Sequence, residues 1–229
     1  MARVAGAGAE KKKSMTKEEL LKELEIEDAF KDYVPMKEAV LGGWHSDSNV
    51  FQFVIESAKP KLIVEVGSFV GFSTITMAKH LDRLNLPCAI LCIDTWLGSL
   101  EYWRDKKSMD ESGMQLEHGY PRWYWSFLTN IAVTNHQDRV VPLPLPTLIA
   151  ARLLKEKGIT ADLIYIDASH DEKDVYDDME AYWPLVNQGG ALFGDDWQWD
   201  TVRRAVERFC KEKSLSIQND AINWIIQKQ

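Results

Sequence analysis

The sequence predicts an α/β fold: a doubly wound, mostly parallel sheet with helices on both faces. Three observations predict it. The stretch Leu62 to Ala78, LIVEVGSFVGFSTITMA, begins as an apolar, β-branched run, breaks at Gly67 and Gly71, and resumes as a small-residue helix. Further short apolar runs, Ala89–Ile93, Ala161–Ile166 and Ala191–Phe193, read as buried strands; Asp94 and Asp167 follow the first two directly, and Asp195 with Asp196 follow the third after Gly194. Between them lie segments with helical spacing, the alternation that builds a parallel sheet.

Residues 1–14, MARVAGAGAEKKKS, read as a disordered tail without the apolar core of a secretory signal. Residues 15–59 read as N-terminal helices. Thr16 and Glu19 make a capping box, followed by Leu20, Leu21 and Leu24 at helical spacing. Pro35 interrupts, Met36–Leu41 offers a further turn, and Gly42-Gly43 opens a loop carrying Trp44, His45 and Ser46. Asp47 or Ser48 caps a helix through Ala58, with Val50, Phe51, Phe53 and Val54 on its buried side. Pro60 ends it, and residues 60–229 form the main domain.

After the glycine loop, Phe72–Leu81 is the first crossover helix and Ala89–Ile93 the second strand. From Trp96 to Phe127 the periodicity dissolves into an aromatic-rich insertion containing Trp96, Tyr102, Trp103, Tyr120, Trp123, Tyr124, Trp125 and Phe127. Its length suggests a lid or binding loop; the alternative is a cover for the sheet edge or a subunit interface. Arg139–Leu145 is the third strand, Thr147 caps a helix to Lys157, and Gly158 closes it. Ala161–Ile166 is the fourth strand. Glu172–Val186 is helical, bent or ended early by Pro184. Gly189-Gly190 turns into the fifth strand, Ala191–Phe193. A helix spans Thr201–Glu212, and Leu215–Gln218 and Trp224–Ile226 read as two short strands.

Composition narrows the function. The 229 residues suit one domain with a substantial core, at 45% hydrophobic and 27% charged residues. A formal net charge of -8, with no basic patch beyond Lys11–Lys13, argues against a nucleic-acid partner. No apolar run approaches the roughly 20 residues of a membrane span. Cys88, Cys92 and Cys210 show neither zinc spacing nor an even count; Cys88 and Cys92, in or beside an apolar strand, read as buried thiols, and a reducing compartment, the cytoplasm, is expected.

The glycine loop carries the chemistry. Gly67 lets the chain turn tightly, and Ser73 and Thr74 begin a helix whose free N–H groups favour an anionic group. Asp94 stands where nucleotide folds grip a ribose diol, or else it caps the next segment. The spacing G-x-x-x-G lacks the second early glycine of a dinucleotide site, and no Lys follows as in a P-loop. A plain packing turn is the remaining alternative. Asp167, Asp195 and Asp196 meet if their strands are adjacent, and three close carboxylates need a proton or a cation, Mg²⁺ before Ca²⁺ or Mn²⁺. Otherwise Asp195 and Asp196 are loop caps. His170, three residues after Asp167, is placed as a general base, or as a surface helix cap.

The string E-V-G-S-x-x-G-x-S-T resembles the S-adenosylmethionine loop of class I methyltransferases, especially the small-molecule O-methyltransferase branch. D-A-S-H followed by G-D-D-W is similar to metal-dependent sugar O-methyltransferases of the mycinamicin and macrocin type and, more distantly, to catechol O-methyltransferases. The resemblance covers about Lys61 to Trp197; the aromatic insertion has no counterpart in it. It implies a Rossmann-like, seven-stranded sheet whose tail strands are antiparallel. Glu65, Gly67, Ser68, Gly71 and Ser73 would hold the methionine end of S-adenosylmethionine and Asp94 the ribose, with Asp167 also at the cofactor. Asp167, Asp195 and Asp196 would hold Mg²⁺, with Asp167 and His170 catalytic. The expected acceptor is a hydroxyl of a sugar, polyketide glycoside or phenol, in natural-product biosynthesis, and the expected assembly a homo-oligomer. A non-catalytic S-adenosylmethionine-binding protein and an NAD-linked oxidoreductase are the alternatives.

Overall fold

The computed structural model describes residues 15–37 and 47–229. The expected tail, the loop Gly42–Ser46 and all but the first two residues of the turn expected at Met36–Leu41 lie outside these residues.

Helix α1 (Lys17–Leu24) starts at the capping box, in which Glu19 N–H donates to Thr16 Oγ1 at 3.2 Å and Thr16 N–H to Glu19 Oε2 at 3.0 Å. Helix α2 (Asn49–Ala58) is capped by Ser48, whose Oγ accepts from Val50 N–H at 3.3 Å. Val50, Phe51, Val54 and Ile55 are its buried stripe, and Phe53 is 50% exposed. That corrects the expected face: on a helix, residue 53 lies across from the 50/51/54/55 stripe.

The main sheet holds seven strands in the order β5-β2-β1-β6-β7-β9-β8. These are β1 (Leu62–Val66), β2 (Ala89–Ile93), β5 (Val140–Leu143), β6 (Ala161–Ile166), β7 (Val186–Gly194), β8 (Gln218–Asn219) and β9 (Trp224–Gln227). The first five are parallel, and β9 runs antiparallel to both β7 and β8. The predicted α/β architecture, with antiparallel strands at the C-terminal edge, is the one observed.

Strand alternation sends Leu62, Val64 and Val66 to one side of the sheet and Ile63 to the other. The first side packs on α1, α7 (Thr147–Glu156), α8 (Glu172–Tyr182) and α9 (Asp200–Lys213). The second packs on α2, α3 (Phe72–Arg83) and α6 (Trp123–Val133). Cys88, Cys92 and Cys210 are buried free thiols.

Helix α6 is the crossover into β5, and its residues lie in and beyond the stretch where periodicity dissolves. It is apolar nearly all round, with Trp123, Phe127, Leu128 and Ile131 buried, so no stripe marks it in the sequence. Before it come two short helices, α4 (Leu100–Trp103) and α5 (Lys106–Glu111), and a small hairpin of β3 (Leu116–Glu117) and β4 (Tyr120–Pro121). Thr147 begins α7 but does not cap it, since Pro146 holds that position. Pro184 ends α8 through a 3-10 turn at Trp183–Leu185. Gly189 and Gly190 lie inside β7, at a register shift against β6, and do not precede the strand. Only glycine fits there at residue 190, because a Cβ would lie 2.3 Å from the Asp162 carbonyl oxygen.

Asp178 on α8 is 3% exposed, and burial pushes its carboxyl up to about 7 although Thr147 donates to it. The folded chain therefore keeps a proton that the unfolded chain releases near pH 4, and stability falls as pH rises from about 4 to about 7. Asp178→Asn removes this loss. Urea melts are expected to show the variant more stable at pH 8 by on the order of 2 kcal/mol, with the gap closing toward pH 5. A gap that stays constant with pH would rule out Asp178 as its source.

Candidate functional site

Register places the functional residues at one level. Val66 pairs with Ile93 on one side and Ile166 on the other, and Ile166 pairs with Gly194. The next residue of each strand is thus Gly67, Asp94, Asp167 and Asp195, along the C-terminal edge of the sheet. Chain order reverses at β1 and β6, so this edge is the crevice where open α/β sheets bind ligands.

Gly67 sits at φ +89°, and a Cβ there would lie 2.1 Å from the Asp167 carbonyl oxygen. Its N–H continues the sheet to Ile93 O at 2.8 Å, and Asp167 N–H does the same to Val66 O at 2.8 Å. Glycine is what lets the two strand ends close together. Gly71 at φ +90° starts α3, its α-carbon facing the Phe127 ring. Two residues outside the expected donor site fix the loop between them. Trp96 Nε1–H donates to Phe69 O at 2.6 Å, and Asn130 Nδ2–H donates to Val70 O at 2.8 Å. Phe69 packs edge-on against Trp123 with centroids 4.9 Å apart. A buried Trp needs an acceptor and an apolar crossover helix holding one Asn invites the question of its partner; neither cue names the loop.

Glu65 shares its face of β1 with Ile63, so it lies under α3 with no exposed surface. Its carboxylate accepts from Ser68 Oγ at 2.8 Å, Ser73 Oγ at 2.5 Å, Thr74 Oγ1 and Cys92 Sγ at 3.4 Å. Burial raises its pKa, opposed by the Ser73, Thr74, Ser68 and Cys92 bonds. Glu65 and Ser73 together therefore tie the glycine loop to the helix start. Asp94 is partly buried. Its Oδ2 accepts from the N–H groups of Ser68 at 3.0 Å and Phe69 at 2.9 Å, and its Oδ1 from Trp96 N–H at 2.7 Å. Desolvation raises its pKa against these donors.

Asp167, His170 and Asp196 each offer a ligand atom, and these atoms lie within 4.8 Å of one another. His170 Nε2 is 2.8 Å from Asp196 Oδ2, and its ring stacks on Trp199 with centroids 4.6 Å apart at 21°. The turn that carries Trp199 is closed by Trp199 N–H donating to Asp196 O at 2.8 Å. Asp196 itself sits at φ +59°, a left-handed conformation that Asp tolerates better than most residues. Asp167 accepts from Tyr165 Oη at 3.1 Å. Burial first, then the charges of Asp195 and Asp196, hold its pKa well above the carboxylate range. Asp195, 6% exposed, lines a small pocket with Asp167 and Asp196, and its Oδ1 accepts from Asn223 Nδ2–H at 3.1 Å. The structure thus brings Asp167, Asp196 and His170 together beside the glycine loop, while Asp195 lines the same pocket but stands outside that group of three. Hard oxygen donors with one imidazole, carrying excess negative charge, fit a divalent cation.

No helix among the described residues is long and apolar enough to cross a membrane. Exposed aromatic surface gathers on the insertion and near the site: Trp103 is 43%, Tyr120 49%, Trp125 40% and Trp199 47% exposed.

The fold has solved relatives. The O-methyltransferase NovP aligns at a TM-score of 0.61 and 16% identity, over 90% of this chain and 88% of that one. TomG of Streptomyces achromogenes, an O-methyltransferase of tomaymycin synthesis solved with SAM, aligns at 0.56 and 12% identity, over 85% and 84%. An O-methyltransferase from Bacillus cereus solved with SAH aligns at 0.54 and 16%, over 83% and 84%. At these identities the likeness is one of fold. No curated protein matches the chain. The family described as methyltransferase domain matches residues 64–197, more than half of the chain and all of the edge just described. The chain belongs to the methyltransferase-domain family.

Proposed function

We propose that the protein transfers a methyl group from S-adenosylmethionine to a hydroxyl of a small molecule, with a divalent cation at the acidic corner. The observation that carries this reading is the meeting of Asp167, His170 and Asp196 within 4.8 Å next to a methyltransferase glycine loop. Two structural relatives were solved with SAM or SAH, which supports the donor.

S-adenosylmethionine supplies a methyl carbon on a sulfonium, already bearing its leaving group. A cation held by Asp167, Asp195 and Asp196 would lower the pKa of an acceptor hydroxyl and fix its oxygen. The chain's own residues supply the rest. Glu65 is not exposed to touch the donor; it holds Ser68, Ser73 and Thr74 so that the loop 67–71 keeps its shape. Gly67 and Gly71 let the donor approach the backbone, and Asp94 grips the ribose by exchanging backbone donors for the diol. Asp196 Oδ2 accepts a hydrogen bond from the Nε2–H of neutral His170, which selects the tautomer whose Nδ1 can take up a proton. Nδ1 then receives the acceptor's proton, and Asp196 stabilises the imidazolium formed.

The acceptor is a sugar, glycoside or phenol, a choice supported by the exposed aromatics of the insertion, which serves as its lid. The protein works as a homo-oligomer in the cytoplasm, without nucleic-acid partners.

One observation favours a second role for His170, since its ring is close enough to be a ligand itself. His170→Gln separates the two. Under the base reading kcat falls by about 10²-fold or more, and Mn²⁺ still binds with near-native affinity. Loss of Mn²⁺ binding in parallel with kcat would make His170 a ligand. Calorimetry with S-adenosylhomocysteine and with NAD tests the donor, and binding of NAD alone would sink the reading. Enzyme stripped by EDTA and shown metal-free should be inactive; full activity would remove the cation from the reaction.

A further inference from the structure

The C-terminal strands reach back into the acidic corner. β9 pairs antiparallel with the end of β7, placing Trp224 against Gly194. A Cβ at 194 would lie 2.4 Å from the Trp224 ring, so glycine there lets the indole settle. Trp224 Nε1–H donates to Asp195 O at 3.1 Å. The residue before it, Asn223, is 2% exposed and holds the side chain of the same aspartate.

The Asn223 amide is fixed at both ends. Its Nδ2 donates to Asp195 Oδ1 at 3.1 Å and to Gly194 O at 3.5 Å, and its Oδ1 accepts from Ser48 Oγ at 2.5 Å. A carboxylate and a carbonyl on one side accept only, so that side must be the NH₂. Asp220 sets the residue's position: its Oδ1 accepts from Ile222 N–H at 2.8 Å and Asn223 N–H at 2.7 Å. Ser48 is in turn the cap of α2. A hydrogen-bonded chain therefore runs from a helix start, through a buried amide, to a carboxylate of the candidate site.

We propose that Asn223 is a positioning residue for Asp195, and that the Ser48–Asn223–Asp195 chain sets the cation affinity of the acidic corner. This rests on the cation reading given above. A carboxylate with one oxygen tied by an amide presents its plane in one orientation. A cation that demands defined ligand geometry gains from that restriction, and outer partners of this kind are worth about 10- to 100-fold in metal affinity.

The test is Mn²⁺ binding to the full chain, followed by electron paramagnetic resonance, with S-adenosylhomocysteine affinity measured by calorimetry in parallel. Asn223→Leu is expected to weaken Mn²⁺ binding by about 10- to 100-fold while S-adenosylhomocysteine affinity stays within about twofold. Ser48→Ala keeps the amide but frees its far end; it removes only one helix cap and so leaves a folded chain. It is expected to weaken Mn²⁺ by about threefold or more, and it decides alone if Asn223→Leu does not fold. Mn²⁺ affinity unchanged in both variants overturns the proposal and leaves the cation reading standing. Parallel loss of Mn²⁺ and S-adenosylhomocysteine binding overturns it too, by showing a general structural role. Failure of the wild-type chain to bind Mn²⁺ overturns the cation reading itself, and this proposal with it.

Discussion

Asp167→Asn is expected to lower methyl transfer by about 10³-fold or more while leaving the chain at least as stable as wild type. The two effects have one cause. Asp167 is a desolvated carboxyl facing Asp195 and Asp196, and its pKa stands well above the usual range for that reason. The native chain holds this proton more tightly than the unfolded chain does. Its contribution is therefore full below the ordinary carboxylate range and is lost as pH rises toward the raised value. An amide carries no charge to repel, and its oxygen still accepts from Tyr165 Oη, now 3.1 Å from Asp167 Oδ2. Melting at pH 8 should show the Asn variant stabilised by on the order of 1 kcal/mol, and added Mn²⁺ should raise the Tm of wild type far more than that of the variant. An Asn variant that keeps full methyl transfer, or one that melts well below wild type, contradicts the assignment.

Gly67→Ala is expected to be the most damaging single-methyl change in the chain. Its Cβ would meet three backbone atoms, Asp167 O at 2.1 Å, Asp167 C at 2.5 Å and Ala168 Cα at 2.6 Å, and φ is +89°. Backbone flanked by paired strands has nowhere to yield, so β1 and β6 must separate at their ends. A loss of about 3 kcal/mol or more is expected, with S-adenosylhomocysteine binding lost as well. Gly71→Ala is the internal comparison. Its φ, +90°, is equally unfavourable, but the nearest atom is a Phe127 ring carbon at 3.0 Å, which can shift. About 1–2 kcal/mol is expected there. Urea melts of both variants check this, and equal losses would show that strain alone matters and the backbone contact does not.

The comparison of these glycines shows what a sequence holds. The run LIVEVGSFVG announces a turn that needs freedom at residue 67, and both glycines look alike in it. That one faces backbone and the other a ring follows from β6 lying beside β1 and α6 packing against the start of α3. Glu65 is instructive in the same way. Its place in a motif assigns it to the ligand, whereas strand alternation with Ile63 turns it under α3, where four donors hold it. The alternation is legible in LIVEV itself, where Glu65 falls two residues after Ile63. Gly189-Gly190 reads as a turn because glycine usually marks one, yet β7 runs through both to meet a register shift.

Sequence by itself determined the strands β1, β2 and β6, the capping box of α1, the α/β class, the glycine that follows β1 and the acidic residue that follows β2 and β6. These are local properties: apolar runs, caps and breaks depend on neighbours along the chain. The tertiary structure alone decided that Asp167, His170 and Asp196 share one corner, that Asp195 is turned to Asn223, and that Trp96 and Asn130 hold the glycine loop. Most of those relations join residues far apart in the chain; strand register sets where Asp167, Asp195 and Asn223 meet, because one step of register moves every side chain to the opposite face, and helix packing sets Asn130 against the loop.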